Sequence, residues 1–186
     1  ASQEQGFFDG PVDHLWAMPV LVDYVRSRVD LSNVCMVSPD AGRIRVAEKW
    51  SAKLGGCPLA FVHKTRDTTR PNVAVANRVV GDVAGKQCVM VDDMIDTAGT
   101  ISEAVKVVMN AGAASVVVAA THGILSDPAA QRLSECGAQE VIVTDTLPIA
   151  LEKRFDKLTI LPIAPLLARA IREVFDDGSV TSLFDG

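Results

Sequence analysis

Aromatic side chains are scarce in this sequence, at 5% of 186 residues, although 48% of the residues are hydrophobic. The core must therefore be built mainly from Val, Ala, Leu and Ile. Cysteine is sparse as well. Cys35, Cys57, Cys88 and Cys136 form no C-x-x-C pair, and a chain long enough for a proper core does not need disulfides. They are expected to be reduced core thiols. The histidines, His14, His63 and His122, do not cluster with them, which argues against a zinc site. There is no basic excess: Lys+Arg is 18, Asp+Glu is 23, and the net charge is −5. That balance argues against a nucleic-acid or anionic-membrane surface. No apolar run approaches the roughly 20 residues of a membrane-spanning helix. The opening ASQEQGFFDG lacks the basic-then-apolar order of a signal peptide. A cytoplasmic protein is expected. With no internal repeat, linker or low-complexity stretch, residues 1–186 read as one domain.

What the sequence does hold is an alternation. Short Val-rich runs stand at 33–38, 58–64, 87–93, 115–123 and 140–146. Continuous apolar character predicts strands buried on both faces, as in a parallel sheet. Helical patterns lie between them. Ile101, Ala104, Val105, Val108 and Met109 repeat at helical spacing, and Gly112 sits where a C-terminal glycine belongs. Ala47, Trp50 and Leu54 line a helix that ends at Gly55 and Gly56. Ile163, Leu166, Leu167, Ala170, Ile171 and Val174 mark another, and an opening helix is predicted from about Met18 to Val29, with Pro19 in its first turn. The fold class is α/β, a doubly wound parallel sheet. Residues 65–85 break the rhythm with three arginines and no helical period. A loop of that length is usually functional, and an exposed hairpin or flap is the plainer reading.

One motif concentrates chemistry. In VMVDDMIDTAGT (89–100) an apolar strand stops at Asp92 and Asp93, and Asp96 and two threonines follow around Gly99. The stretch joins the carboxyl end of a predicted strand to a helix start, where ligands bind in open α/β sheets. Free amides and the helix dipole there suit an anion. Thr97 and Thr100 add hydroxyls, and Gly99 permits close approach. The carboxylates suit hydroxyls or a cation such as Mg²⁺. A sugar phosphate satisfies both halves of the motif, with its phosphate at the turn and its diol at Asp92 and Asp93. The plainer reading is that Asp96 or Thr97 caps the helix and the acidic pair is solvated.

These residues also carry a resemblance. VMVDDMIDTAGT resembles the ribose-5-phosphate loop of the phosphoribosyltransferase-type (type I) fold. GFFDGPVDHLWA, VSPDAGRIRVAEKWSAKLG, HKTRDTTRPN, ATHGILSDPA and GSVTSLFDG resemble, in the same order, the ribose-phosphate pyrophosphokinase (PRPP synthetase) family. The likeness covers essentially the whole chain, but only the second of that family's two similar halves. It implies transfer of the β,γ-pyrophosphoryl group of Mg-ATP to ribose 5-phosphate, giving PRPP and AMP. Asp92 and Asp93 would then hold the ribose hydroxyls. Asp96, Thr97, Ala98, Gly99 and Thr100 would surround the 5-phosphate. Asp40, in SPDAG, would be a Mg²⁺ ligand, with Gly42 opening a helix. Lys64 and Arg66 match the basic pair that begins the family's catalytic loop. Ser179, Val180 and Thr181 resemble part of a regulatory phosphate site. A homo-oligomer, hexameric in the family, is implied, as is little or no activity for this half alone.

The chain departs from the family pattern at Thr65, where a further basic residue is usual. Plainer readings stand beside each assignment: Asp40 as a turn or cap residue, Lys64 and Arg66 as solvated charges. His63 is expected in a loop, His122 as a hydrogen-bond donor at a strand end, and His14 facing solvent. Two other functions fit parts of the pattern. A salvage phosphoribosyltransferase would need a base-binding hood, and no obvious aromatic stacking segment is present. A non-catalytic regulatory relative would be expected to lose loop charge, which this chain keeps.

Overall fold

The computed structural model describes residues 6–65 and 76–183. Its elements run α1 (Met18–Arg26), β1 (Val34–Ser38), α2 (Ile44–Lys53), β2 (Leu59–Thr65), β3 (Ala76–Val80), β4 (Gln87–Ile95), α3 (Gly99–Asn110), β5 (Ser115–Gly123), α4 (Ala129–Glu135), β6 (Glu140–Thr144), β7 (Leu158–Leu161) and α5 (Ala164–Phe175). They build a seven-stranded sheet in the order β3-β2-β1-β4-β5-β6-β7. All neighbouring pairs are parallel except β2 with β3. The sheet is thus mixed, with one antiparallel edge strand on a parallel core.

Two hydrophobic cores cover its faces, and strand alternation divides them. Cys35, Val37, Cys88 and Met90 face α3 and α4 through Ile101, Ala104, Val105 and Leu133. Met36, Val89 and Val91 face the other way, toward Leu21, Val22 and Val25 of α1 and toward Trp50. Fully burying each large side chain contributes about 1.5–3 kcal/mol. Cys35, Cys88 and Cys136 are buried and Cys57 partly so, all as free thiols.

Three expectations are corrected, and two elements appear that the sequence did not announce. α1 stops at Arg26 rather than near Val29. The Ser27 hydroxyl donates to the Tyr24 carbonyl, and Arg28 turns its guanidinium to Glu140. α4 and β7 follow no periodicity long enough to read, being seven and four residues long. His63 lies on β2, paired with Arg78, and not in a loop. His14 does not simply face solvent, since its Nε2 is buried and finds no hydrogen-bond partner among the described residues. His122, at the end of β5, meets Thr146 Oγ1 at 2.8 Å, as expected.

The described part of the 65–85 stretch is the hairpin arm β3. Gly81 at its end needs to be glycine, with φ +111° and a would-be Cβ only 2.8 Å from the Ala60 backbone. Gly112 likewise ends α3 at φ +93°. Among the described residues the outer face of α5 has no cover. On α5, Ile171 is 69% and Phe175 87% exposed, beside a largely apolar cavity of about 350 Å³.

Candidate functional site: an acidic pair and an anion turn

β4 is the central strand and outruns β1. Met90 pairs with Val37, and β1 ends one residue later at Ser38. Asp92 and Asp93 therefore emerge at the carboxyl edge, supported on the other side by β5, where Ala120 pairs with Asp92. The burial pattern changes at this point from a buried run to an open end.

Beyond Ile95 the chain turns through Asp96 and Thr97. Ala98 takes the left-handed conformation, φ 59°, ψ 10°, and α3 starts at Gly99. Among the described residues no side chain caps this helix, and no acidic residue lies in its first turn. The plainer reading of Asp96 or Thr97 as a cap is set aside. The helix ladder opens with Ser102 N–H donating to the Ala98 carbonyl at 2.9 Å. Amides ahead of it have no acceptor within the helix, and the dipole makes this end positive. Arg132 Nη1 donates to the Thr97 carbonyl at 2.9 Å.

Asp40 follows β1 and accepts from Gly42 N–H through Oδ1 at 2.8 Å, capping the 3-10 turn Ala41–Arg43. Arg43 then reaches the acidic pair. Its Nη2 lies 2.7 Å from Asp93 Oδ2 and its Nε 3.3 Å from Asp92 Oδ1. Asp40, Arg43, Asp92, Asp93 and residues 94–101 line one cavity of about 260 Å³. It is smaller than the cavity beside α5, yet it is where the acidic pair and the helix start converge.

The two carboxyls titrate as a pair. Burial pushes Asp92 up to about 6, against the Asp93 N–H, which donates to its carboxylate, and against Arg43, while the Asp93 side chain adds to the rise. Burial also works against the Asp93 charge, but hydrogen bonding to Asp92 and Arg43 outweighs it and holds Asp93 below the usual carboxylate range. Free energy follows from this. The folded chain binds a proton at Asp92 that the unfolded chain gives up near pH 4. Stability of the ligand-free chain should therefore fall as pH rises from about 4 to about 6. The loss should be about 1–2 kcal/mol, allowing for solvent at the open side of the pair. Asp93 acts oppositely, weakening the fold only as pH falls below about 4. Urea unfolding between pH 4 and 7 should show the slope, and Asp92→Asn should flatten it. Identical profiles for the two chains would mean that the Asp92 charge is not desolvated.

Asp40 and residues 92, 93 and 96–100, singled out from the sequence, line one cavity. Sequence reasoning missed Arg43 and Arg132. Arg43 had a readable signal, a cation one residue after SPDAG in a turn at the same sheet edge. Lys64 lies near the end of β2 at that edge, its backbone paired with Asn77. Arg66 lies outside the described residues. Ser179, Val180 and Thr181 are elsewhere: Val180 lines the cavity beside α5, and the Ser179 and Thr181 hydroxyls lie 2.6 Å apart.

Residues 57–185 match a family model described as the phosphoribosyl synthetase-associated domain. The chain is 72% identical to the ribose-phosphate pyrophosphokinase of Bifidobacterium longum over 187 residues, covering 100% of this chain and 55% of the relative. It is 66% identical to that of Corynebacterium efficiens, over 99% and 56% respectively. The chain belongs to the ribose-phosphate pyrophosphokinase family. It spans about half the length of the curated relatives it matches. The crystal structure of phosphoribosylpyrophosphate synthetase from Mycobacterium smegmatis superposes with a TM-score of 0.85 at 58% identity, covering 96% of this chain and 57% of that one. An orotate phosphoribosyltransferase from Aeropyrum pernix, at 17% identity, TM-score 0.51 and coverage of 81% and 74%, shares the fold alone. The expected type I phosphoribosyltransferase fold is thus observed. Among the described residues no helix is long and apolar enough to cross a membrane.

Proposed function

We propose that this chain is the ribose-5-phosphate-binding half of a ribose-phosphate pyrophosphokinase. The observation that carries this is one cavity holding both an acidic pair and an uncapped helix start free of carboxylates in its first turn. In the reaction the 1-hydroxyl oxygen of ribose 5-phosphate bonds to the β-phosphorus of ATP. The bond from that phosphorus to the α,β-bridging oxygen breaks, and AMP leaves. Asp92 and Asp93 accept from the ribose hydroxyls. The amides and hydroxyls of residues 96–100 hold the 5-phosphate. Lys64 and Arg66 neutralise charge that develops on the transferred group.

Mg²⁺ would neutralise the ATP phosphates when bound. It is commonly held by one or two carboxylates together with substrate phosphates rather than by a cage of protein ligands. The donor set fits that habit. No cluster of three metal-ligating side chains exists among the described residues, and Asp40 keeps an oxygen beyond its bond to Gly42. Free thiols suit a reducing, cytoplasmic setting. Exposed apolar side chains on α5 suit a larger assembly, a homo-oligomer included.

Crystals of the chain soaked in ribose 5-phosphate test the site. The phosphate should rest on the amides of residues 97 to 100, with the diol at Asp92 and Asp93. An anion that settles elsewhere at saturating concentration would overturn the assignment. Because the chain spans about half the length of its relatives, its own AMP release from ATP and ribose 5-phosphate is expected at background.

A further inference from the structure

The Thr97–Ala98 peptide controls what the anion turn offers a ligand. It is trans, so its carbonyl and its N–H point to opposite sides. The carbonyl is committed to Arg132 Nη1 at 2.9 Å, on the side of α4. The Ala98 N–H is thereby aimed away from α4. Ala98 pays for this orientation with a left-handed backbone that residues other than glycine rarely adopt. Rotating the peptide would relieve Ala98 and turn a carbonyl oxygen, the wrong sign for an anion, toward the cavity.

Arg132 is well placed to prevent that rotation. The lead-in to α4 is tied to the end of β4, where Ile95 O accepts from both Ile124 N–H and Leu125 N–H at 3.0 and 3.1 Å. Leu125, Ala129 and Leu133 are buried in the core that also holds Ile101 and Ala104 of α3. The arginine therefore extends from a support fixed to both elements that flank the turn. Its guanidinium also lies beside the first residue of α3, with Nη1 3.5 Å from where a Cβ on Gly99 would stand. A charged donor on a carbonyl polarises the peptide and strengthens its N–H as a donor in turn.

We infer that Arg132 is a positioning residue for the phosphate turn, holding the Thr97–Ala98 peptide so that the Ala98 N–H meets the anion. The inference rests on the reading that this turn binds the 5-phosphate. The ligand's phosphate is affected and its diol is not, which separates this role from a general contribution to the fold.

The test uses the ¹⁵N-labelled chain titrated with sulfate, with ribose 5-phosphate, and with ribose, which has the diol but no phosphate. In the unaltered chain both anions should shift the Ala98 amide signal. In Arg132→Ala the Kd for both anions should rise about tenfold, equivalent to about 1.4 kcal/mol. The Ala98 shift should be lost while the ribose Kd stays unchanged. Arg132→Lys, which keeps one charged donor, should recover part of the affinity, and Arg132→Gln less. Unchanged anion affinity in Arg132→Ala with the Ala98 shift retained would overturn the inference while leaving the phosphate reading intact. A uniform loss for all three ligands would overturn it too, since that marks a structural role. If Arg132→Ala fails to fold, equal anion affinity in the Lys and Gln variants and the unaltered chain would be the refuting result. An unaltered chain whose residues 97–100 respond to neither anion would remove the phosphate reading and this inference with it.

Discussion

A chain carrying Asp92→Asn and Asp93→Asn will bind ribose 5-phosphate at least about a hundredfold more weakly than the unaltered chain, and will bind sulfate almost as before. On the proposed reading each carboxylate offers a charge-assisted acceptor to a ribose hydroxyl, worth about 1.5–3 kcal/mol. Losing two amounts to about 3–6 kcal/mol, and each 1.4 kcal/mol is tenfold. The substitution preserves shape, and an amide oxygen can still accept the local bonds from Asp93 N–H and Met94 N–H. The turn that would hold sulfate is built from backbone and threonines beyond the pair, so it is spared. Arg43 loses both its partners and is free to meet an anion, which if anything strengthens sulfate binding. Calorimetric titration with the two ligands decides it. Equal weakening of both would show that the acidic pair supports the turn and does not bind a diol. Unchanged ribose 5-phosphate affinity would remove the pair from the site.

In a form of the enzyme that spans the full length of its relatives, Lys64→Ala and Arg66→Ala will each lower kcat about a hundredfold and leave the Kd for ribose 5-phosphate nearly unchanged. Phe61 pairs with Ser38, so Lys64 lies three residues farther along β2, at the edge where Asp40 follows β1. On the proposed reading, the cations of Lys64 and Arg66 would meet charge that builds on the pyrophosphoryl group only during transfer. Removing such a contact acts on the transition state and not on bound ground state. One contact of this kind typically contributes about 3 kcal/mol. On the same reading ribose 5-phosphate is held at β4 and the start of α3, so its binding would not depend on the contact. Steady-state rates with a separate binding measurement separate the roles. A raised Kd with kcat intact would make the pair substrate anchors, and no change in either would make them solvated surface charges.

Elements that bury a long, regular face were readable in the sequence. The run at 87–93 announced β4 because a strand covered on both faces has no polar alternation, and Ile101 to Met109 announced α3 by spacing alone. β7 and α4 were not readable, because four and seven residues carry no statistically useful period and tertiary packing decides them. β3 was visible only as a disturbance, since an edge strand pairs on one side and needs little apolar pattern. In the site, residues contiguous along β4 and its turn were legible together. Arg132 was not, because it meets Thr97 across 35 positions of sequence, and Arg43, though its place after SPDAG was legible, meets Asp93 across 50. The raised Asp92 was illegible for the same reason: its cause is burial, which the sequence at 92 does not contain.

β4 is fourth of seven in the sheet, paired with β1 as far as Met90 and with β5 to its end, and covered by a core on each face. Edge strands and helix ends can open locally while the rest stays folded, but a strand in that position is released only when the whole sheet is. The carboxylates of Asp92 and Asp93 thus project from the element that moves last. Past Met90 the strand keeps only its β5 seam, so beyond that point the spacing of the two carboxylates rests on one row of pairing and on Arg43, which bridges them.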